Sequence, residues 1–297
     1  MPKNLTEPFR HRCVQDLSWA IQSPPLISGY IAETEWWGTE QLRQEYQICL
    51  PLLKQLDKDP DPLKAALQQA KSHRLGHYFE SLIEFWLTIT PSYELLLSQL
   101  PLRNEHRTLG EIDYLARDTA TGKIVHIEVA VKFYLGYNDL DNMASWHGPD
   151  LRDRLDRKFD HLCRHQTQIS RKYPELVPCV VDEYACILKG RLFYPPNTQT
   201  ETSFTHPEHL NGHWHYHLPA PKQRHDTIYY PLQKRNWLAP LTDTSDQPTG
   251  PQRHTPTEPI CYASYYSNKE QNRLFILPED FWINVQTPHP TEGPAQQ

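Results

Sequence analysis

The stretch from Gly110 to Tyr134 constrains the fold more than any other part of the chain. It reads as two strands, 109–117 and 123–135, joined by the turn-rich linker Asp118-Thr119-Ala120-Thr121-Gly122. In the second strand Val125, Ile127, Val129 and Val131 share one side, while His126, Glu128, Ala130 and Lys132 share the other. In the first, Glu111 and Asp113 lie opposite Ile112 and Tyr114. Each strand thus has an apolar face suited to a core and a face that carries acids.

A turn centred between Ala120 and Thr121 sets the register and places Asp113 directly opposite Glu128. Facing side chains on neighbouring strands have Cβ atoms roughly 4.5–5.5 Å apart, where like charges repel. Either one acid keeps a proton or a cation lies between them. Hard carboxylate oxygens suit Mg2+ or Mn2+. Glu80, on the helix just before the hairpin, is a third acid that can reach such an ion, and Lys132 supplies a nearby cation. Carboxylates holding a divalent ion beside a lysine are the minimal kit for phosphodiester hydrolysis. The competing reading is a hairpin whose charges simply face water.

Around the hairpin, apolar periodicity predicts helices over 10–22, 39–56, 62–72, 74–90 and 150–171. Residues 176–194 read as one or two strands with a tight turn at Lys189-Gly190, and further strands are expected at 212–218, 227–232, 261–266 and 273–277. This order predicts an α/β or α+β arrangement. It divides into an N-terminal helical extension (1–73), a core (74–195), a C-terminal strand and loop region (196–285) and a disordered tail (286–297). The Pro/Thr-rich segment 240–260 is expected to be a mobile loop.

Charge decides what the acid face can meet. A formal net charge of −6 excludes a protein that coats nucleic acid by bulk electrostatics. A local patch is present, however: segment 150–172 holds seven Lys/Arg against four Asp. Arg154, Arg157, Lys158 and Gln166 are the candidate nucleic-acid contacts there, with an ordinary ion-paired helix as the alternative. No apolar run reaches the ~18 residues of a membrane span, and no secretory signal is visible. The six cysteines lack CxxC spacing and read as reduced thiols of a cytoplasmic protein. His213, His215 and His217 alternate along one strand, but imidazoles two apart on a flat strand converge poorly on a metal.

The GEID segment, a short linker and an apolar strand carrying Glu and Lys resemble the core motif of the PD-(D/E)xK nuclease superfamily, over about residues 70–190. LGHYFESL resembles that superfamily's acid-bearing first helix. More closely, HRCVQDLSWAIQSPPLI, LGHYFESLIEFWL, EVAVKFYL, GPDLRDRLDRKFDHLCRHQ and KRNWLAP together resemble a bacterial family, domain of unknown function 1853, over about residues 10–283. The nuclease resemblance implies a restriction-endonuclease-like fold, a mixed central sheet flanked by helices, and metal-dependent cleavage of nucleic acid, DNA foremost. It implies Glu80 as the helix acid, Asp113 and Glu128 as metal ligands, the Val129 carbonyl as a further ligand and Lys132 as the catalytic lysine. It also leaves open a nuclease-fold protein that binds nucleic acid or protein without cutting. The sequence departs from the motif at one point. The superfamily's lysine stands two residues after the acid, where this chain has Ala130. Lys132 is four residues on, ~13 Å along a straight strand. Either the strand bends or bulges, or Lys132 reaches back along its stem, or another cation such as Lys158 fills the role.

Overall fold

The hairpin lies near one end of a single mixed sheet in the computed structural model, which describes residues 9–69, 72, 74–219, 227–242, 256–267 and 269–286. The chain begins with α1 (Arg12–Gln22), β1 (Gly29–Ile31), β2 (Thr34–Trp36), α2 (Thr39–Leu56), α3 (Asp61–Gln68) and α4 (Leu75–Ile89). The meander β3 (Tyr93–Arg103), β4 (Thr108–Asp118) and β5 (Ile124–Gly136) follows, then β6 (Trp146–His147), α5 (Leu155–His161), α6 (Ile169–Lys172) and β7 (Glu183–Tyr194). The last elements are β8 (Asn211–His215), β9 (Ile228–Pro231), β10 (Ile260–Tyr266), β11 (Lys269–Ile276) and α7 (Ile283–Gln286). The expected tail lies outside the described residues beyond Gln286, and the expected 240–260 loop lies outside them over 243–255.

The strands order as β3-β4-β5-β7-β8-β11-β10-β9, with β2 added beside β7, β1 beside β2, and β6 beside β5. β3, β4 and β5 pair antiparallel, whereas β5, β7, β8 and β11 pair parallel. Strands from 74–195 and from 196–285 therefore share one sheet. Helices cover both faces. Val125, Ile127, Val129, Val131, Phe133 and Leu135 of β5 join one core with Leu17 and Ile21 of α1 and Phe79, Leu82, Ile83 and Trp86 of α4. Ala130 and Tyr134 point the other way, against Leu155 of α5 and Leu162 and Cys163 beyond it. Burying each large apolar side chain stabilises the fold by roughly 1.5–3 kcal/mol. No helix among the described residues is long and apolar enough to cross a membrane.

Three segments differ from the sequence reading, each for a local reason. The sequence reading assigns no element to 93–103, but these residues form β3. Pro101 fits there because β3 is the outermost strand, where a missing N–H need not break a ladder. The helix expected over 150–171 begins only at Leu155. Ahead of it, Arg154 is extended and bridges to His147, and the Gly148 N–H donates to the Asp153 carbonyl. A π-helical turn, Leu162–Gln166, then interrupts the helix, with the Thr167 N–H donating to the Leu162 carbonyl. Finally, Lys189-Gly190 is not a turn, since β7 runs straight through it in register with β5.

That register explains both residues. Gly190 lies at φ +140°, and a Cβ there would sit 1.6 Å from the Lys132 carbonyl oxygen. Lys189 is fully buried and donates to the Ile21 and Ser23 carbonyls, satisfying the C-terminal end of α1. Burial alone pushes its ammonium well below the usual lysine range. At the other end of the chain, buried Arg273 donates to the Leu238 and Ala239 carbonyls at 3.1 and 2.7 Å. Arg12 of α1 reaches the Ala239 and Pro240 carbonyls, so the Lys-Arg-Asn-Trp-Leu-Ala-Pro segment is clamped between N- and C-terminal elements. Gly190→Ala is expected to cost about 3 kcal/mol or more, through strained φ and overpacking. Urea unfolding at fixed pH measures this, and an unchanged midpoint would contradict the contact.

Candidate active site

Strand pairing brings the two acids together. Tyr114 faces Ile127, Leu115 faces His126 and Ala116 faces Val125. The register places Asp113 beside Glu128, where the backbone ladder between β4 and β5 stops. The Asp113 carboxylate accepts the Val129 N–H at 2.9 Å, and Glu128 Oε1 accepts the Asp113 N–H at 3.2 Å. Side chains thus take over from backbone rungs. The pleat breaks at the same point: Tyr114 packs on the α4 side, whereas Ile112 packs on the α6 side with Leu102, Leu115 and Ile169. On β3 the matching break is Gln99 at φ +47°, between Ser98, which pairs with Tyr114, and Leu100, which pairs with Ile112. β4 stays with β3 beyond this point and leaves β5.

Each carboxyl is thus bonded to backbone beside the other acid, Glu128 to the N–H of Asp113 itself and Asp113 to that of Val129, next to Glu128. Glu128 is fully buried and Asp113 half-buried. Burial pushes Glu128 up to about 8. Burial, and next the charge of Glu128, pushes Asp113 well above the usual carboxylate range. Without a counter-ion, the pair therefore retains a proton near neutrality. An extended residue projects its N–H and C=O to the same side. With its N–H on Asp113, Val129 therefore turns its carbonyl into the same gap.

The surroundings of Glu128 are specific. His126 Nε2 lies 2.8 Å from Glu128 Oε1, and His126 Nδ1 lies 2.8 Å from the Ser170 hydroxyl of α6. Burial lowers His126 to about 4, so the ring is neutral, with one nitrogen donating and the other accepting. Gln166 Nε2 donates to Glu128 Oε2 at 2.8 Å, and Lys158 Nζ donates to Gln166 Oε1 at 2.7 Å. Burial, and next the charge of Lys132, lowers Lys158, while the charges of Asp113 and Glu128 raise it.

The other sequence candidates divide. Glu80 sits on α4, across the sheet from the Glu128 partners, and binds His77 at 3.0 Å. Its backbone carbonyl accepts the Tyr114 hydroxyl at 2.7 Å, and its charge contributes to the rise at Asp113. Lys132 shares the Glu128 face but is paired with Asp153, whose other oxygen accepts the Tyr134 hydroxyl at 3.2 Å. β5 remains in unbroken register with β7 from Val125 to Leu135, so no bulge draws Lys132 back toward Glu128. Arg154 is committed to Asp156 at 2.6 and 2.8 Å, whereas Arg157 is exposed. His213 and His215 lie side by side on β8, and His217 lies 3.7 Å from Glu279. Among the described residues, no three of His, Cys, Asp and Glu form a ready metal cage.

Sequence parity already places His126 beside Glu128. Ser170 and Asp153 carry no comparable signal, because their positions depend on how α5, the π turn and α6 fold over the sheet.

The chain belongs to the family described as Domain of unknown function (DUF1853), which it matches over residues 15–275. No curated protein and no solved structure matches it.

A buried acid with a raised pKa favours the fold while protonated. That contribution is complete below the unfolded carboxyl value and is lost as pH rises toward about 8. In metal-free buffer, wild type should therefore lose stability relative to Glu128→Gln between pH 5 and 8, by on the order of a few kcal/mol. Denaturant midpoints of both proteins across that range provide the check, and parallel curves would show that Glu128 is not perturbed.

Proposed function

We propose that this protein is a divalent-metal-dependent phosphodiesterase acting on nucleic acid, with DNA the favoured substrate, in the cytoplasm. One observation carries the reading: the Asp113 and Glu128 carboxyls face each other where β4 leaves β5, with the Val129 carbonyl turned into the same gap. The succession α4-β3-β4-β5-β6-α5-α6-β7, with helices on both faces of a mixed sheet, supports a restriction-endonuclease-like core.

The residues suit Mg2+ or Mn2+. Such ions bind through one or two carboxylates and keep water and substrate phosphate for their remaining positions, so a complete protein cage is not required. Asp113 and Glu128 would hold the ion in place of the proton the pair otherwise keeps, with the Val129 carbonyl beside them and Glu80 adding negative charge from α4. When bound, the ion neutralises charge at phosphorus and acidifies water. His126 and Gln166 fix the two oxygens of Glu128, which holds that carboxylate in one orientation. Exposed Arg157, on the helix that covers this face, is placed to meet a phosphate backbone.

A second reading is favoured by a specific observation. Both Glu128 oxygens already accept hydrogen bonds, and Lys132 is held by Asp153. Such a site could serve a nuclease-fold protein that binds nucleic acid or protein without cutting. Cleavage of labelled DNA and RNA with Mn2+ or Mg2+, together with Mn2+ calorimetry, separates the two readings. The first expects Mn2+ binding and cleavage, with Asp113→Ala and Glu128→Ala each reducing the rate at least ~100-fold. Cleavage that survives both substitutions would remove the site from the reaction. Nucleic-acid binding without Mn2+ uptake would favour the second reading.

A further inference from the structure

Two lysines flank the acid pair, and their bonding distinguishes them. Lys132 projects from β5, which is locked to β7 on both sides of it, and its ammonium is paired with Asp153. Asp153 also accepts the Tyr134 hydroxyl, and its backbone carbonyl accepts the Gly148 N–H. Lys132 therefore joins the sheet to the 147–154 segment. Lys158 comes instead from α5. Its ammonium donates to Gln166 Oε1, and the same amide donates to Glu128 Oε2. An ammonium only donates, so Gln166 turns its oxygen to Lys158 and leaves its amide nitrogen to donate to Glu128. Turning the amide over would set its N–H groups against the ammonium and break the bond to Lys158. The charges of Asp113 and Glu128 both act on Lys158.

The backbone explains why this pair meets. Eight residues separate Lys158 from Gln166, which is about 80° round a regular α-helix. The π-helical turn at Leu162–Gln166 changes that phase and carries Gln166 over Glu128. Such turns interrupt an α-helix at a cost, and they recur at functional sites. An ammonium has three donors, and Gln166 takes one of them.

We infer that Lys158, aligned through Gln166, is the cation that serves the Asp113–Glu128 site, and that Lys132 is a structural partner of Asp153 and Tyr134. The inference rests on the phosphodiesterase reading. Gln166 is then a positioning residue, and the two remaining donors of Lys158 are directed to a phosphate oxygen or to the attacking water.

The test compares full-length wild type with Lys158→Met, Lys158→Arg, Lys132→Met and Gln166→Leu. It measures Mn2+-dependent cleavage of a labelled DNA duplex (kcat and KM separately), Mn2+ affinity by calorimetry, and thermal midpoint. Lys158→Met should lower kcat at least 30-fold more than Lys132→Met does, and Lys158→Arg should recover part of the loss. Removing a positive charge beside the acids should tighten Mn2+ about 3- to 10-fold in Lys158→Met, a readout independent of turnover. Gln166→Leu should lower kcat with little change in KM and keeps the test decisive if Lys158→Met fails to fold. Lys132→Met should chiefly lower the thermal midpoint. If Lys132→Met is the more damaging to kcat while still folded, the inference is overturned and the phosphodiesterase reading stands. If wild type neither takes up Mn2+ nor cleaves, that reading fails and the inference fails with it.

Discussion

The structure turns on the point where β4 and β5 stop exchanging backbone hydrogen bonds. At Asp113 a carboxylate replaces a carbonyl as the acceptor for the Val129 N–H, and a glutamate accepts the Asp113 N–H in return. The two strands remain bridged while their backbones part. The consequence is electrostatic. Two acids are held close together in a largely buried gap; burial raises both, and the charge of Glu128 adds to the rise at Asp113. A packed sheet tolerates such a pair when hydrogen bonds satisfy it and when a proton, or a divalent ion, offsets the charge.

The rest of the fold makes that arrangement rigid. β5 is paired along its length with β7, and the absence of a side chain at Gly190 lets the two backbones approach at Lys132. On one face, α4 packs its apolar side on Val125, Ile127 and Val129 and positions Glu80 near the break. On the other, α6 contributes Ser170 to His126, and the π turn contributes Gln166 to Glu128. Every polar partner of Glu128 is therefore anchored on sheet or helix, as a preorganised site requires.

Much of this was legible in the chain itself. Alternation separated Ile127 and Val129 from His126 and Glu128, and the turn between Ala120 and Thr121 set the observed register. Family membership was likewise readable from motifs spread over most of the length. The parts that escaped were those whose cause is non-local. β3 reads poorly because Pro101 and the left-handed Gln99 break its pattern, and only its position at the sheet edge makes them acceptable. Lys189-Gly190 reads as a turn because glycine permits one, although here the glycine answers to a carbonyl on another strand.

What the sequence determined by itself is the pairing of strands and the identity of the facing acids, since both follow from period-two alternation and turn length. The tertiary structure decided which cation and which polar partners meet those acids. Lys132 and Lys158 are both plausible along the chain, but helix phase, the π turn and the 147–154 segment direct one toward Gln166 and Glu128 and the other toward Asp153. Local propensity specifies the spacing along a strand. The partner of a charged side chain is specified by packing between distant elements, where burial makes an unpaired charge too costly to leave alone.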